Sequence, residues 1–171
     1  MADDATMTIS AVILPDEISK TLASQTYSYA PADTTEGWYY KIVDVTTTST
    51  DLISTETFLQ KGATAAGVDT GATMPAITTS DKVKFLFIKH TSKQDDGSTN
   101  NTSDSVYLTF AGETVTHSIA NAVEIGPGEI WFAKFNNLTV ANLHCISGAG
   151  AGAGTGGNKI QCIVAAIIKD V

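Results

Sequence analysis

Residues 121–171 read NAVEIGPGEIWFAKFNNLTVANLHCISGAGAGAGTGGNKIQCIVAAIIKDV, and the fold class turns on how they are parsed. Ile125-Gly126-Pro127-Gly128-Glu129 joins two apolar runs through a turn rich in Gly and Pro. Residues 148–157, almost all Gly and Ala, join two more. The order is strand, turn, strand, strand, glycine loop, strand, with no length left for a helix. This is an antiparallel β module, expected to hold a shape and dock to other proteins rather than to turn over a substrate.

The rest of the chain agrees. At 171 residues it suits one domain, or one domain with an extended arm. With 43% apolar residues it can build a core. Only 16% of residues are charged, against roughly 25% in an average soluble domain. Threonine fills the difference with 25 residues, many beside Val, Ile or aromatics. Such β-branched and aromatic enrichment favours pleated, half-buried surfaces.

The net charge is −8 and the chain contains no arginine. Without the bidentate guanidinium fork and with an acidic balance, it lacks the electrostatic footprint for nucleic acid. The acidic start, Met1-Ala-Asp-Asp, is unlike the basic start of a secretory signal. No run approaches the roughly 18 apolar residues of a membrane span. Synthesis in a cytosol is therefore expected, and the sequons at Asn100, Asn101 and Asn137 would then carry no meaning.

Residues 1–24 read as an N-terminal arm. Its first eight residues are polar, Ile9 to Leu14 is apolar, and Pro15-Asp16-Glu17 offers a helix start reaching to about Ser24. From residue 25 onward the chain reads as a sandwich or jelly roll. Residues 38–45 alternate, with Trp38, Tyr40 and Ile42 on one face and Tyr39, Lys41 and Val43 on the other. Residues 51–60 are a weaker strand, and residues 62–80 a long loop of the kind that orders on assembly. Residues 82–91 are the clearest strand, with Val83, Phe85 and Phe87 expected inward. A polar loop at 92–104 precedes a strand with Val106, Leu108 and Phe110 on one face. Strands are also expected at 114–119, 122–125, 129–135, 138–147 and 159–169. Eight or so short strands separated by turns give an all-β, antiparallel sandwich or jelly roll with at most one short helix.

If 138–147 and 159–169 form a hairpin about residue 153, Cys145 stands opposite Cys162 and Leu143 opposite Val164. Both cysteines are then core residues. A bridge is conceivable, but in a cytosolic product reduced thiols are expected. A glycine loop fixes such a register poorly.

Several chemistries find no support in the residue pattern. Gly152-Ala-Gly-Thr-Gly-Gly157 matches a dinucleotide pattern on paper, yet a strand follows it where a phosphate-binding helix is required. His90, His117 and His144 with the two cysteines lack zinc spacing, and the adjacent His144 and Cys145 point to opposite faces of a strand. Asp95-Asp96-Gly97-Ser98-Thr99-Asn100 clusters oxygens but has no calcium-loop spacing, so it reads as a solvated turn. No catalytic residue, metal site or cofactor is expected. Trp131 and Phe132 place aromatics on both faces of one strand. Trp131 with Phe135 is expected to front a face in need of cover, by another layer or by a partner.

The segments Val106-Tyr-Leu-Thr-Phe-Ala-Gly, Ala122-Val-Glu-Ile-Gly-Pro-Gly-Glu-Ile-Trp-Phe-Ala-Lys-Phe and Leu143-His-Cys-Ile-Ser resemble the small β-rich structural proteins of tailed bacteriophages. Capsid decoration, or cement, proteins are the nearest group. The resemblance covers residues 82–171 and is a pattern rather than a signature. It implies a non-enzymatic, often trimeric module on the capsid surface of the virion, clamping neighbouring capsomers of the major capsid protein. On that reading the candidate interface residues are Ile9, Val12, Leu14, Met74, Trp131 and Phe135. A tail, neck or fibre component is the nearest alternative. A carbohydrate-binding sandwich using Trp38, Tyr39, Tyr40 or Trp131 as stacking platforms is the alternative from another class.

Overall fold

The structure, a computed structural model, describes residues 5–11, 23–29, 31, 35–55, 60–61, 76–116, 120–148 and 159–171. Its strands are β1 (Ala5–Ala11), β2 (Ala23–Tyr29), β3 (Glu36–Val45), β4 (Thr50–Asp51), β5 (Gln60–Lys61) and β6 (Lys82–Gln94). They continue with β7 (Val106–Thr109), β8 (Val123–Ile125), β9 (Ile130–Thr139), β10 (His144–Ser147) and β11 (Ile160–Lys169). The expected all-β class holds, and every strand pairing is antiparallel.

Two sheets face each other. One has the order β5-β3-β11-β6-β9, the other β4-β10-β7-β8. Between them lies one interior, supplied by Tyr39, Val45, Leu86, Ile88, Val164 and Ile168 from the larger sheet and by Val106, Leu108, Ile125 and Cys145 from the smaller. Leu52, Ile53 and Ile77, from connecting segments, close its rim. Strand β11 sits at the centre of the larger sheet, and its unbroken run Ile163-Val-Ala-Ala-Ile-Ile168 is buried on the inner face throughout and on the outer face at Ile167.

That placement corrects the expected terminal hairpin. Strands β10 and β11 are consecutive but belong to different sheets, so Cys145 pairs with Thr50 and Leu108, while Cys162 pairs with Val43 and His90. Both cysteines are still buried, and both are free thiols. The reason is length: β11 finds two long partners in β3 and β6, whereas β10 has only four residues to offer. A glycine-rich connection does not constrain the chain to a tight reversal, so the larger burial decides.

Strand β6 needs a second correction. A register shift between Val83 and Phe85 turns the following residues over. Val83 faces the interior as expected, but Phe85 and Phe87 face outward, and Leu86, Ile88 and His90 take the inner positions. Such a bulge inserts one residue into the alternation and so inverts every facing beyond it.

Smaller differences follow from the same kind of local chemistry. Residues 114–116 form no strand; Val115 is instead pinned by its N–H donating to Ser49 Oγ at 2.9 Å. Of the weak strand expected at 51–60, β4 and β5 stand at the ends and Leu52 and Ile53 turn inward after β4; residues 56–59 lie outside the described residues. The strand expected over 138–147 is broken by a short 3-10 turn, Val140–Asn142. Residues 12–22 lie outside the described residues, so most of the expected helix does too; its last two residues, Ala23 and Ser24, begin β2.

Strands β1 and β2 form a separate antiparallel ribbon, from Ala5 opposite Tyr29 to Ala11 opposite Ala23. Its alternation puts Ala5, Met7, Ile9 and Ala11 in register with Tyr29, Tyr27, Gln25 and Ala23, while Thr6, Thr8 and Ser10 match Ser28, Thr26 and Ser24. An isolated two-stranded ribbon is marginal in water. This one is anchored at its base, where Met7 and Tyr29 pack against the outer face of the larger sheet. There the Tyr29 hydroxyl donates to both carboxylate oxygens of the buried Glu36, at 3.0 and 3.2 Å.

Candidate functional site

The outer face of the larger sheet is built in three rows across β3, β11, β6 and β9. They are Trp38–Ile167–Phe85–Lys134, Tyr40–Ala165–Phe87–Phe132 and Ile42–Ile163–Lys89–Ile130. Ten of these twelve positions are apolar, and no carboxylate is among them. An outward sheet face normally alternates to polar residues, so this one demands cover.

The ribbon covers the first row and part of the second. Met7 and Tyr29 pack with Trp38, Phe85, Phe87, Phe132 and Ile167, and Lys134 Nζ lies 5.3 Å from the centre of the Tyr29 ring. The third row is open. Ile42 is 51% exposed and Ile130 54%, and Tyr40 beside them is 51% exposed. Lys89 stands exposed in the middle of that row, with no salt-bridge partner among the described residues. Three large apolar side chains this exposed on one sheet face form a patch rather than scattered surface residues.

The residues singled out from the sequence are placed as follows. Trp131 and Phe135 lie on the inner side of β9, not on a face of their own. Trp131 stacks on Phe110 with ring centroids 5.4 Å apart, and Phe135 meets the same ring at 5.3 Å. All three pack against the main core. The cover that this face needed is thus Phe110, which follows β7 in the opposite sheet. Ile9 lies in β1 opposite Gln25. Val12, Leu14 and Met74 lie outside the described residues.

The patch-forming residues were partly legible: the alternation over 38–43 put Trp38, Tyr40 and Ile42 together. What was missing was their neighbourhood, because Ile130 and Lys89 join them only through the order β3-β11-β6-β9. Of the aromatic platforms considered for sugar stacking, Tyr39 is buried and Trp131 is stacked on Phe110, which leaves Tyr40 as the strongly exposed one.

The polar candidates are occupied by structural work. His90 is fully buried on the inner side of β6. Its Nδ1 accepts the Ser92 N–H at 2.9 Å and its Nε2 lies 3.0 Å from the Asp104 carbonyl. A carbonyl only accepts, so the imidazole is neutral with its proton on Nε2. Burial lowers its pKa, against the opposing pull of the Asp104 carbonyl and the Asp104 and Glu129 charges. His144 lies 3.5 Å from Asp51 on the outer side of the smaller sheet. His117 lies outside the described residues.

Burial pushes the Cys145 thiol up to about 12 and raises Cys162 as well, so neither offers a thiolate at neutral pH. In the Asp95–Asn100 stretch, Asp96 accepts the Ser98 and Thr99 N–H groups at 2.8 and 2.7 Å and the Thr99 hydroxyl. These bonds hold its carboxyl well below the usual range, the Thr99 hydroxyl contributing most. The loop is a side-chain-capped turn. No grouping of three metal-ligating side chains occurs among the described residues.

The Gly-Pro-Gly-Glu turn is also explained by its geometry. Glu129 N–H donates to the Gly126 carbonyl at 3.0 Å, with Gly128 at φ +80°. The Glu129 carboxylate then reaches back to the Gly126 N–H at 2.7 Å, closing the turn from both ends.

No family model matches the chain, and no curated protein sequence matches it. Among solved structures, the coat protein of Tobacco streak virus aligns over 81% of this chain and 89% of its own, with a TM-score of 0.39 and 9% identity. The functional reading rests instead on this chain's own surfaces.

Proposed function

We propose that the chain is a virion structural protein that decorates and stabilises a phage capsid, docking across the boundaries between capsomers. The observation that carries this reading is the uncovered third row of the larger sheet, Ile42–Ile163–Lys89–Ile130 with Tyr40 beside it. A sandwich whose inner face is closed and whose outer face is half covered by its own ribbon is suited to completing its burial against a partner. The resemblance of residues 82–171 to small phage structural proteins supports the same class.

The partners are the major capsid protein and further copies of the chain, with a trimer favoured. Ile9, Val12, Leu14 and Met74 are proposed as additional contacts, since an arm and a long loop suit lattice bridging. A tail, neck or fibre component is the nearest alternative. A glycan-binding module is less supported, because Tyr40 alone is available as a platform of the kind stacking requires.

The test is direct. Purified protein is added to empty capsid shells of the virus that encodes it, and binding and shell melting temperature are measured. The reading expects saturable binding and a raised melting temperature. Absence of both, with a monomer at every concentration, overturns it. Retained glycan affinity in the isolated monomer would move the chain to the other class.

A further inference from the structure

The structure assigns the open end of the outer face to a specific kind of occupant: we infer that Tyr40, Ile42, Ile163 and Ile130 around Lys89 form the docking surface for a partner protein that presents apolar side chains about a carboxylate. This rests on the docking role proposed above and names the surface and the partner chemistry.

Three observations lead to it. First, the row is apolar at its β3, β11 and β9 positions and exposed at both ends, at 51% for Ile42 and 54% for Ile130. Second, its single charged residue is central. Lys89 is flanked in register by Ile163 and Ile130, so any partner that seals the row must also meet the ammonium group. A lysine desolvated without a counter-charge is costly, so the occupant must supply a carboxylate there. Third, the same face already accepts one apolar layer. The ribbon packs Met7 and Tyr29 on the first two rows, and Tyr29 lies near Lys134, the other lysine of the three rows. The partner would extend that cover along the sheet.

Charge also decides between a partner and a second copy. Two copies paired face to face about an axis through this row would bring Lys89 onto Lys89, a like-charge contact that disfavours the pairing. The twelve positions of the three rows provide no carboxylate to relieve it. The nearest exposed carboxylate on this face is Asp44, on β3 one row beyond Ile42 and paired with Gln161, away from the centre of the row; a foreign acidic residue can meet Lys89 directly.

The experiment measures binding to empty capsid shells encoded alongside this chain, at low and at physiological salt. The variants are Lys89→Glu, Lys89→Arg, Ile42→Ser and Ile130→Ser, with Glu124→Gln, on the opposite sheet, as control. Circular dichroism and melting temperature verify that each variant is folded. The inference expects Lys89→Glu and each Ile→Ser to weaken binding at least tenfold, with Lys89→Arg and Glu124→Gln close to wild type and wild-type binding weakened by salt. If wild type binds and the patch variants bind equally well, the surface assignment is wrong while the docking role stands. If wild type does not bind, the docking role fails and the assignment with it. A dimer in light scattering that the same substitutions abolish would give the face to a second copy and overturn the inference.

Discussion

The backbone N–H of Ser92 donates to Nδ1 of His90 at 2.9 Å, and Ser92 holds φ +61° to do so. This pair ends the buried part of β6. It also fixes the imidazole so that Nε2 reaches the Asp104 carbonyl, while the His90 N–H bonds the Glu129 carbonyl at 3.0 Å. One buried ring therefore ties β6 to the 95–104 loop and, through its backbone, to the 126–129 turn.

Protonation would turn Nδ1 from acceptor into donor, facing another donor. Because the folded-state pKa of His90 is lowered, its contribution is complete above the unfolded value near 6.5 and is lost as pH falls from there toward the folded value. Melting temperature is expected to fall as pH drops below about 6.5, measured by calorimetry, with a shallower slope in His90→Gln. His90→Ala, which leaves the Ser92 N–H and the Asp104 carbonyl without their partner, should cost about 2–4 kcal/mol.

The two thiols titrate in the opposite sense. Their folded pKa values lie above those of the unfolded chain, so their contribution is complete below about pH 8.5 and is lost as pH rises from there toward 12. Native protein at pH 8 should resist alkylation at Cys145 and Cys162 and react at both once denatured, as mass spectrometry would show. Rapid labelling of the native protein would contradict their burial.

Gly128 should not accept a side chain cheaply. A Cβ there meets only Ser92 Oγ, at 3.4 Å, so space is available, but φ +80° is unfavourable for any residue with a Cβ. Gly128→Ala is expected to cost about 1–2 kcal/mol from backbone strain alone. Glu129→Gln retains an acceptor for the Gly126 N–H and should cost less than Glu129→Ala. Urea denaturation of the three variants checks the order.

The Phe110–Trp131 stack makes a claim about where not to look for a partner. Phe110→Ala should destabilise by about 3 kcal/mol and red-shift Trp131 fluorescence by opening it to water. A variant that kept full stability while losing capsid binding would return Trp131 and Phe135 to the interface.

Tyr29 anchors the ribbon to Glu36. Tyr29→Phe removes the hydroxyl that donates to a buried carboxylate, with an expected loss of about 1.5–3 kcal/mol in docking the ribbon. Limited proteolysis should then cut within residues 1–34 while the sandwich resists; unchanged cleavage would show that the anchor lies elsewhere.

Much of this was legible in residue order. The alternation over 38–43 set the facing of β3, and Val106, Leu108 and Phe110 were placed on one face correctly, because period-2 patterning records which side of a strand is buried. It failed where the period is interrupted. The register shift after Val83 inverted Phe85 and Phe87, and nothing in Lys82-Val-Lys-Phe-Leu-Phe marks it. For the Trp131–Phe135 face the sequence left open another layer or a partner as cover; in the fold both rings pack on Phe110, some twenty residues away.

The sequence by itself determined the class: antiparallel β, a turn at Gly-Pro-Gly, buried cysteines and a surface without arginine. These follow from local propensity and composition. Only the tertiary structure decided that β10 and β11 part into different sheets and that Tyr40, Ile42, Lys89 and Ile130 meet on one surface. Strand order is a contest between long-range pairings, settled by the apolar area each buries, and the glycine-rich stretch 148–157 imposes no local geometry that would decide it in advance.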